Sequence, residues 1–215
     1  MIELIVKVAL AYLLGTVMGG LIIARLRGVD LRGSGSGNVG ATNALRTQGK
    51  WFALGVLLID VAKGIAAVTL IPALIWPFPQ PIVLPNDWTA YLCGVAVSLG
   101  HIYPVWTGFK GGKGVATLAG VFVALMPQAF VWMLVGFALT ILLSGYVSLA
   151  SMLCGVIAIV HVLFEDASIL SARGLFAILM TLLIVFTHRL NLRRLIAGNE
   201  NRFEKAMLLR RWPKR

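Results

Sequence analysis

A glycine-rich stretch early in the chain has the composition of an anion-binding loop. It reads GSGSGNVGATN over residues 33–43, and Arg46 follows it. Glycine lets the backbone approach a ligand closely, so that successive N–H groups can point at a phosphate. A guanidinium can hold the same group with two hydrogen bonds. The residues predicted to bind phosphate or act on it here are Gly35, Ser36, Gly37, Asn38, Gly40, Thr42, Asn43 and Arg46. A flexible loop without a ligand is the alternative interpretation.

The same glycines satisfy the spacing of a dinucleotide-binding loop. Gly35, Gly37 and Gly40 supply the G-x-G-x-x-G pattern, which in such folds follows a β-strand and opens a helix. No strand pattern precedes this stretch, so the sequence disfavours a nucleotide-binding fold.

A second segment, FKGGKGVAT over residues 109–117, resembles a phosphate loop. It is not a Walker motif, because three residues rather than four separate Gly108 from Gly112 and no Ser or Thr follows the lysine. A helix that begins near Val115 would offer its first N–H groups to a phosphate. The predicted phosphate-binding residues are Lys110, Gly111, Gly112, Lys113, Gly114 and Thr117. A plain basic anchor on the inner side is the alternative. His101 is predicted to be an interfacial histidine, with a catalytic role as the alternative.

A third segment lies near the end of the chain and combines histidine, amide and basic residues. His188 and Asn191 are three residues apart, as are Asn191 and Arg194, so each pair shares a face if the segment is helical. Such a group is suited to proton transfer and to orienting an anion. Glu200 could orient the basic side chains, and Arg189 is a further predicted phosphate ligand. The alternative is an amphipathic basic tail.

Other polar residues within apolar stretches carry weaker signals. Asp60 and Lys63 can pair on one helix face, as a functional group or as a structural ion pair. His161 and Asp166 fit a His-x4-Asp acyltransferase spacing, but two fixed letters arise easily by chance. Two cysteines lie in apolar runs without ligand spacing and are predicted to be packing residues, so the sequence indicates neither a metal site nor a disulfide.

The composition requires a membrane environment for all these segments. Of 215 residues, 59% are hydrophobic and 13% charged, and the mean hydropathy is +0.91. Soluble domains carry roughly 25% charged residues. A soluble fold of this length has too little interior for so much apolar surface. The sequence therefore excludes soluble, disordered and disulfide-scaffold classes and predicts several membrane spans.

The charge distribution predicts the topology. The formal net charge is +11, and most basic residues lie in 25–50, 108–114 and 189–215, which should face the cytoplasm. The connections 76–87 and 164–172 should lie outside. Seven apolar stretches alternate with these segments: 2–24, 51–75, 88–107, 115–127, 129–144, 147–163 and 174–188.

We therefore predict an all-α, polytopic membrane bundle of about seven transmembrane helices, with the N-terminus outside and the C-terminus cytoplasmic. Five helices preserve the same orientation if 115–144 does not cross twice. The chain is predicted to be one domain, 1–215, with 189–215 a basic cytoplasmic tail. No internal repeat is visible, which weakens a transporter interpretation.

Taken together, the motifs resemble one known family. The matching residues are 35–43, Gly100-His101, Pro104, 110–117 and His188-Arg-x-Asn191, with Asp60-x-x-Lys63-Gly64 in addition. They resemble, in order and over nearly the whole chain, the bacterial acyl-phosphate-dependent glycerol-3-phosphate acyltransferases, the PlsY family. Leu190 and Leu192 depart slightly from the family pattern, and the basic extension after Asn201 lies outside it.

The resemblance implies a multi-pass protein of the bacterial inner membrane with a cytoplasm-facing active site. It implies transfer of an acyl group from acyl-phosphate, not acyl-CoA, to the 1-hydroxyl of glycerol 3-phosphate, giving lysophosphatidate and phosphate without cofactor or metal. By motif position, the catalytic residues would be Ser36, Arg46, Lys113, His188 and Asn191, and the structural ones Asp60, Lys63 and Glu200. His188 and the substrate's own phosphate are alternative bases. A monomer is plausible.

Two other functions compete with acyl transfer. An alcohol phosphotransferase would need an aspartate cluster for metal, and only Asp30, Glu200 and Glu204 clearly belong to the predicted cytoplasmic side. A small-anion transporter would place ionisable groups at mid-membrane on several helices. Nucleic-acid binding is disfavoured, because the basic segments lack interleaved aromatic residues.

Overall fold

The computed structural model describes residues 1–75, 77, 86–165 and 168–208 of the chain. This part is helical, and two longer connections, 28–40 and 103–114, contain the glycine-rich loop and the 110–114 turn. The helices are α1 (Ile2–Gly15), α2 (Gly19–Arg27), α3 (Ala41–Thr47), α4 (Lys50–Thr69), α5 (Asn86–Ile102), α6 (Val115–Leu125), α7 (Pro127–Ser144), α8 (Val147–Glu165), α9 (Ala172–Thr187) and α10 (Arg189–Ile196). Single 3-10 turns follow α5 and α10, at Val105–Thr107 and Glu204–Ala206. Most of the predicted outer connection 76–87, Asp166 and the last residues of the basic tail lie outside the described residues.

The chain forms two compact units, Met1–Pro127 and Gln128–Arg215. In the first unit, α1 packs against α5, and α4 packs against α2, α3, α5 and α6. In the second unit, α8 packs against α9, and α10 contacts both of them. The prediction of a single domain stays a prediction.

The helices confirm an all-α membrane protein. Each of the seven predicted apolar stretches contains a helix. By length and composition, four segments of the described residues could cross a membrane: Ile2–Arg27, Lys50–Thr69, Pro127–Ser144 and Val147–Glu165. The bent pair α9 and α10 would make a fifth. Helix α6 has only 11 residues, whereas a full span needs about 20. The count of seven and the orientation of the termini stay predictions.

The helix surfaces fit a lipid environment. Large apolar side chains are widely exposed, among them Leu58 (60%), Trp132 (60%) and Leu182 (62%). A soluble monomer rarely exposes so much contiguous apolar surface, and lipid covers it in a membrane protein.

Two glycines bring α4 and α6 into backbone contact. A Cβ on Gly64 would overlap the carbonyl of Thr117, and a Cβ on Gly120 would overlap the carbonyl of Val61. Small residues at such crossings let helices in lipid approach closely, since packing rather than the hydrophobic effect holds them together. This contact fixes the first turn of α6 against α4.

Candidate functional site

Asn43 holds the glycine-rich loop in shape. Its Oδ1 accepts hydrogen bonds from the backbone N–H of Ser36 (2.8 Å) and from Ser36 Oγ (3.2 Å). Its Nδ2 donates to the carbonyls of Leu31 (3.2 Å) and Ser34 (3.1 Å). Asn43 is buried, so its side chain first serves to organise the loop, and its predicted binding of phosphate stays a prediction.

The polar groups of this segment remain accessible. Ser36 is exposed, although in this structure its N–H and its hydroxyl both donate to Asn43. Arg46 is exposed on α3. Asn38, Gly40 and Thr42 are half-buried. An organised loop with exposed donors is what anion binding needs.

A hydrogen bond joins the first two predicted segments. Arg32 Nη2 donates to the carbonyl of Lys110 at 2.7 Å, and Thr107 Oγ1 donates to the same carbonyl at 3.0 Å. The glycine-rich loop and the 110–114 turn therefore meet within the first unit. Arg32 was not among the predicted site residues, because in the sequence it is only one of several basic residues.

The 110–114 turn is built on the end of α5. Gly111 N–H donates to the carbonyl of Ile102 (3.0 Å), and Gly112 N–H donates to the carbonyl of His101 (3.1 Å). These two N–H groups hold the turn itself, so the predicted phosphate contacts of Gly111 and Gly112 are not made through them in this structure. Phe109 has a left-handed backbone (φ 60°), which is uncommon outside glycine and clusters at functional sites. The residue types gave no signal for it.

Helix α6 begins at Val115, as predicted, directly after this turn. Gly114 precedes it with φ 84°, a conformation that favours glycine. The first N–H groups of a helix have no intrahelical partner and carry partial positive charge. Thr117 is fully buried in this first turn, and no described residue pairs with its Oγ1. Lys113, in the turn that precedes this helix, is half-buried.

A buried ion pair lies behind the turn. Lys63 Nζ lies 2.9 Å from Asp60 Oδ1, with side chains 3% and 1% exposed, which confirms that the two pair on one helix face. The ammonium also donates to the carbonyls of Gly15 (2.9 Å) and Val17 (2.6 Å), at the break between α1 and α2. His101 Nδ1 lies 2.8 Å from the same Nζ. The sequence favoured an interfacial role for His101, whereas the structure places it in this network.

Glu200 is the hub of the third segment, within the second unit. Its Oε1 accepts from Asn191 Nδ2 (2.7 Å) and from Ser148 Oγ (3.0 Å), and its Oε2 accepts from Arg194 Nε (2.7 Å). Glu200 thus orients Asn191 and Arg194. Burial by itself raises the pKa of Glu200, but the hydrogen bonds from Arg194, Asn191 and Ser148 outweigh it and hold the pKa below its ordinary value of 4.5. Ser148 lies in an apolar helix and gave no signal in the sequence.

His188 lies at a bend rather than inside one helix. It joins α9 to α10, which meet at 62°, so the expected shared helix with Asn191 begins only after His188. Because of the bend, α10 does not continue along the axis of the apolar helix α9. The arginines of α10 can therefore lie at the membrane surface rather than in its apolar interior. His188 is buried, and its Nδ1 lies 2.9 Å from the carbonyl of Ile184. Arg189 instead turns back to the carbonyl of Phe186, and its binding of phosphate stays a prediction.

The two cysteines and His161 lie in helices. The described cysteines, Cys93 and Cys154, are free thiols within helices. His161 Nε2 lies 3.8 Å from Glu165, and its proposed partner Asp166 lies outside the described residues.

Comparison with known proteins matches this chain over almost its full length. The family model of glycerol-3-phosphate acyltransferase matches residues 5–198. A protein of that name from Geotalea daltonii is 42% identical, over 94% of this chain and 98% of its own. The protein of that name from Aquifex aeolicus is 43% identical, over 91% of this chain and 97% of its own.

Solved structures agree with the sequence relatives. Crystal structures of PlsY, an integral membrane glycerol 3-phosphate acyltransferase, match in a glycerol 3-phosphate form (TM-score 0.82, 37% identity) and a lysophosphatidic acid form (TM-score 0.80, 36% identity). Each match covers 93% of this chain and 95% of the other. The resemblance seen in the motifs is confirmed: this is a multi-pass membrane acyltransferase of phospholipid synthesis, and the chain belongs to the glycerol-3-phosphate acyltransferase family.

Proposed function

We propose that the protein transfers a fatty acyl group from acyl-phosphate to the 1-hydroxyl of glycerol 3-phosphate, giving lysophosphatidate and phosphate. The observation that carries the proposal is the hydrogen bond from Arg32 to the carbonyl of Lys110, which joins the two segments predicted to bind anions. Two anionic substrates need two such segments, and basic groups lower the repulsion between them. The solved relative with glycerol 3-phosphate and lysophosphatidic acid forms supports the same substrate and product.

The reaction balances without another reactant. The 1-hydroxyl oxygen bonds to the acyl carbonyl carbon, the bond from that carbon to the phosphate oxygen breaks, and phosphate leaves. Acyl-phosphate is a mixed anhydride with a good leaving group, so positioning the two substrates supplies much of the rate. Membrane lipid or an apolar surface between helices would hold the acyl chain.

The residues of the first unit bind and stabilise phosphate in this proposal. Arg46, Lys113 and the first N–H groups of α6 stabilise the departing phosphate and the developing oxyanion. Ser36 turns its hydroxyl from Asn43 to the phosphate, while its N–H stays bonded to Asn43 and keeps the loop in shape. The remaining loop residues position the anions by backbone and side-chain donors.

The hydroxyl proton passes to His188 or to a phosphate oxygen of the substrate. The carbonyl of Ile184 can only accept, so Nδ1 of His188 carries the hydrogen between them. In neutral His188 the basic nitrogen is then Nε2, the tautomer that a general base needs. A substrate phosphate oxygen needs no protein base. Asn191, held by Glu200, orients an anion in the same unit.

The proposal includes the topology. Seven helices cross the bacterial inner membrane, with the N-terminus outside, the C-terminus inside and the active site facing the cytoplasm. The segments 25–50, 108–114 and 189–215 carry most of the basic residues, which favours this side.

The test is acyl transfer by detergent-purified protein without added metal. Radiolabelled glycerol 3-phosphate is offered with palmitoyl-phosphate or palmitoyl-CoA. Lysophosphatidate should form from palmitoyl-phosphate alone. Arg46→Ala and Lys113→Ala should each reduce kcat by about 10²–10³-fold, whereas Arg27→Ala, an exposed arginine on α2, should leave it unchanged.

No product from either donor, in protein with a cooperative thermal transition, would exclude the acyl-phosphate reaction. Product from palmitoyl-CoA would correct the donor and leave the acceptor in place.

A further inference from the structure

The ring of His101 lies between the buried ion pair and the 110–114 turn. Its Nδ1 faces Lys63 Nζ at 2.8 Å. A Cβ built on Gly112 would overlap its Nε2, so Nε2 lies against the turn. The histidine is 3% exposed. Its two ring nitrogens therefore have opposite surroundings.

The surroundings of Nδ1 determine which nitrogen carries the hydrogen. Three oxygens lie within 2.9 Å of Lys63 Nζ, from Asp60, Gly15 and Val17. They match the N–H groups of an ammonium, which has three hydrogens and no lone pair. Nδ1 of His101 lies equally close to Nζ, at 2.8 Å, whereas Asp60 Oδ1 lies 3.5 Å from Nδ1, so Nδ1 meets the ammonium by accepting an N–H that it shares with one of the oxygens. Nδ1 of His101 must therefore be the unprotonated atom. The ring is held neutral, with its hydrogen on Nε2.

The hydrogen on Nε2 lies on the side of the ring that packs against Gly112, in the 110–114 turn. Among the described residues, one buried side-chain oxygen has no hydrogen-bond partner, Thr117 Oγ1, and it lies in the first turn of α6, directly after the same turn. A buried polar group without a partner is costly. An unmatched hydroxyl and a histidine N–H beside a turn that ends in a helix N-terminus point to a ligand with acceptor oxygens.

We propose that His101 is a substrate-binding residue, whose neutral Nε2–H donates a hydrogen bond to a phosphate oxygen held at the 110–114 turn. Asp60 and Lys63 are positioning residues, which fix the tautomer of His101 through Nδ1. The inference rests on the proposed function, because it takes the phosphate from one of the two proposed substrates. The shared chemistry is a phosphate monoester or acyl-phosphate anion.

Two substitutions separate the roles of the two ring nitrogens. His101→Gln places an amide donor near the position of Nε2, and His101→Asn keeps an acceptor near the position of Nδ1 but loses the donor. The KM of glycerol 3-phosphate and the KM of palmitoyl-phosphate are measured separately. His101→Asn should raise one of them about 10- to 100-fold, the loss expected for a hydrogen bond to a charged group. His101→Gln should stay within about threefold of wild type, and the KM that rises identifies the phosphate.

A purely structural role for His101 predicts the reverse order. Loss of the Nδ1 contact would then make His101→Gln the more damaged variant in KM and in thermal stability, and that result would overturn the proposal. Wild-type protein without acyl-phosphate activity would contradict the proposed function instead.

A spectroscopic measurement does not depend on turnover or on the stability of a variant. The ¹⁵N spectrum of ring-labelled histidine in wild-type protein should show one residue with hydrogen on Nε2 alone, and its signal should be absent in His101→Gln. Addition of glycerol 3-phosphate, or separately of inorganic phosphate, should shift that Nε2 signal. A hydrogen on Nδ1, or a signal that neither phosphate moves, would overturn the proposal.

Discussion

Glu200 shows how much one carboxylate can organise at the scale of a residue. It ties Ser148 on α8, Asn191 and Arg194 on α10 to the loop that follows α10. Hydrogen bonds to an ionised group are stronger than neutral ones. Since Glu200 is buried, removing its charge also leaves its donors without a full partner.

Glu200→Gln should lower the stability of the protein by about 1–3 kcal/mol, the cost of weakening buried charge-assisted hydrogen bonds. Thermal unfolding in detergent measures it. Glu204→Gln is the matched control, because Glu204 is exposed, and it should leave Tm nearly unchanged. Equal shifts in the two variants would contradict the role of Glu200.

The same residue predicts a dependence on pH. The pKa of Glu200 is lower in the folded protein than its ordinary value of 4.5, so its stabilisation is fully present above pH 4.5. It should be lost as pH falls below that value and through the lowered folded pKa. The Tm difference between wild type and Glu200→Gln should therefore shrink on acidification in that range. A difference that stays constant down to the acid limit of folding would be inconsistent with a lowered pKa.

At the scale of elements, the 110–114 turn depends on close packing against the end of α5. The N–H groups of Gly111 and Gly112 bond to the carbonyls of Ile102 and His101. The space where a Cβ of Gly112 would lie is already taken by the imidazole of His101. The glycine at 112 is thus required by contact rather than by a left-handed backbone.

Gly112→Ala should displace this turn and raise the KM of a phosphate substrate by about tenfold or more, since small misplacements of a binding element are costly. Steady-state kinetics with each substrate varied in turn measures it. Gly55→Ala on α4 is the control, because a Cβ there meets only the flexible end of Ile23. If Gly112→Ala keeps wild-type KM values, the turn tolerates a side chain and the packing argument fails.

At the scale of the whole molecule, charge and apolar surface are separated. Basic residues concentrate in the segments 25–50, 108–114 and 189–215, and exposed apolar side chains cover the long helices. Such a molecule should present its polar segments to one side of the membrane.

Cysteine labelling with a membrane-impermeant maleimide tests the orientation, in protein with Cys93 and Cys154 replaced by alanine. In right-side-out vesicles, Ser168→Cys should react at once, whereas Gln48→Cys and Asn199→Cys should react only after the membrane is opened, because positive segments stay inside. All three positions are exposed. The reverse pattern would invert the topology.

The number of spans has its own labelling position. Gln128 is exposed at the start of α7, and seven helices place it outside. Gln128→Cys should therefore react in right-side-out vesicles, as Ser168→Cys does. Protection of Gln128→Cys there would favour the five-helix alternative.

Sequence reasoning succeeded where a signal is local. The pairing of Asp60 with Lys63 follows from helical spacing, and the start of α6 at Val115 follows from the glycines before it. It failed at the bend of His188, because a helical face pattern continues across a break that tertiary packing imposes. It also undervalued His101, whose partners lie on other elements.

The sequence by itself determined the membrane class, the helical content, the order of the three polar segments and the family, since composition and motif order are properties of the chain. Only the tertiary structure decided which groups meet. Arg32 and Lys110 are 78 residues apart, Lys63 and His101 are 38 apart, and Ser148 and Glu200 are 52 apart. Contacts across such distances depend on how helices pack, and packing is set by the combined shape of all their side chains rather than by any local pattern.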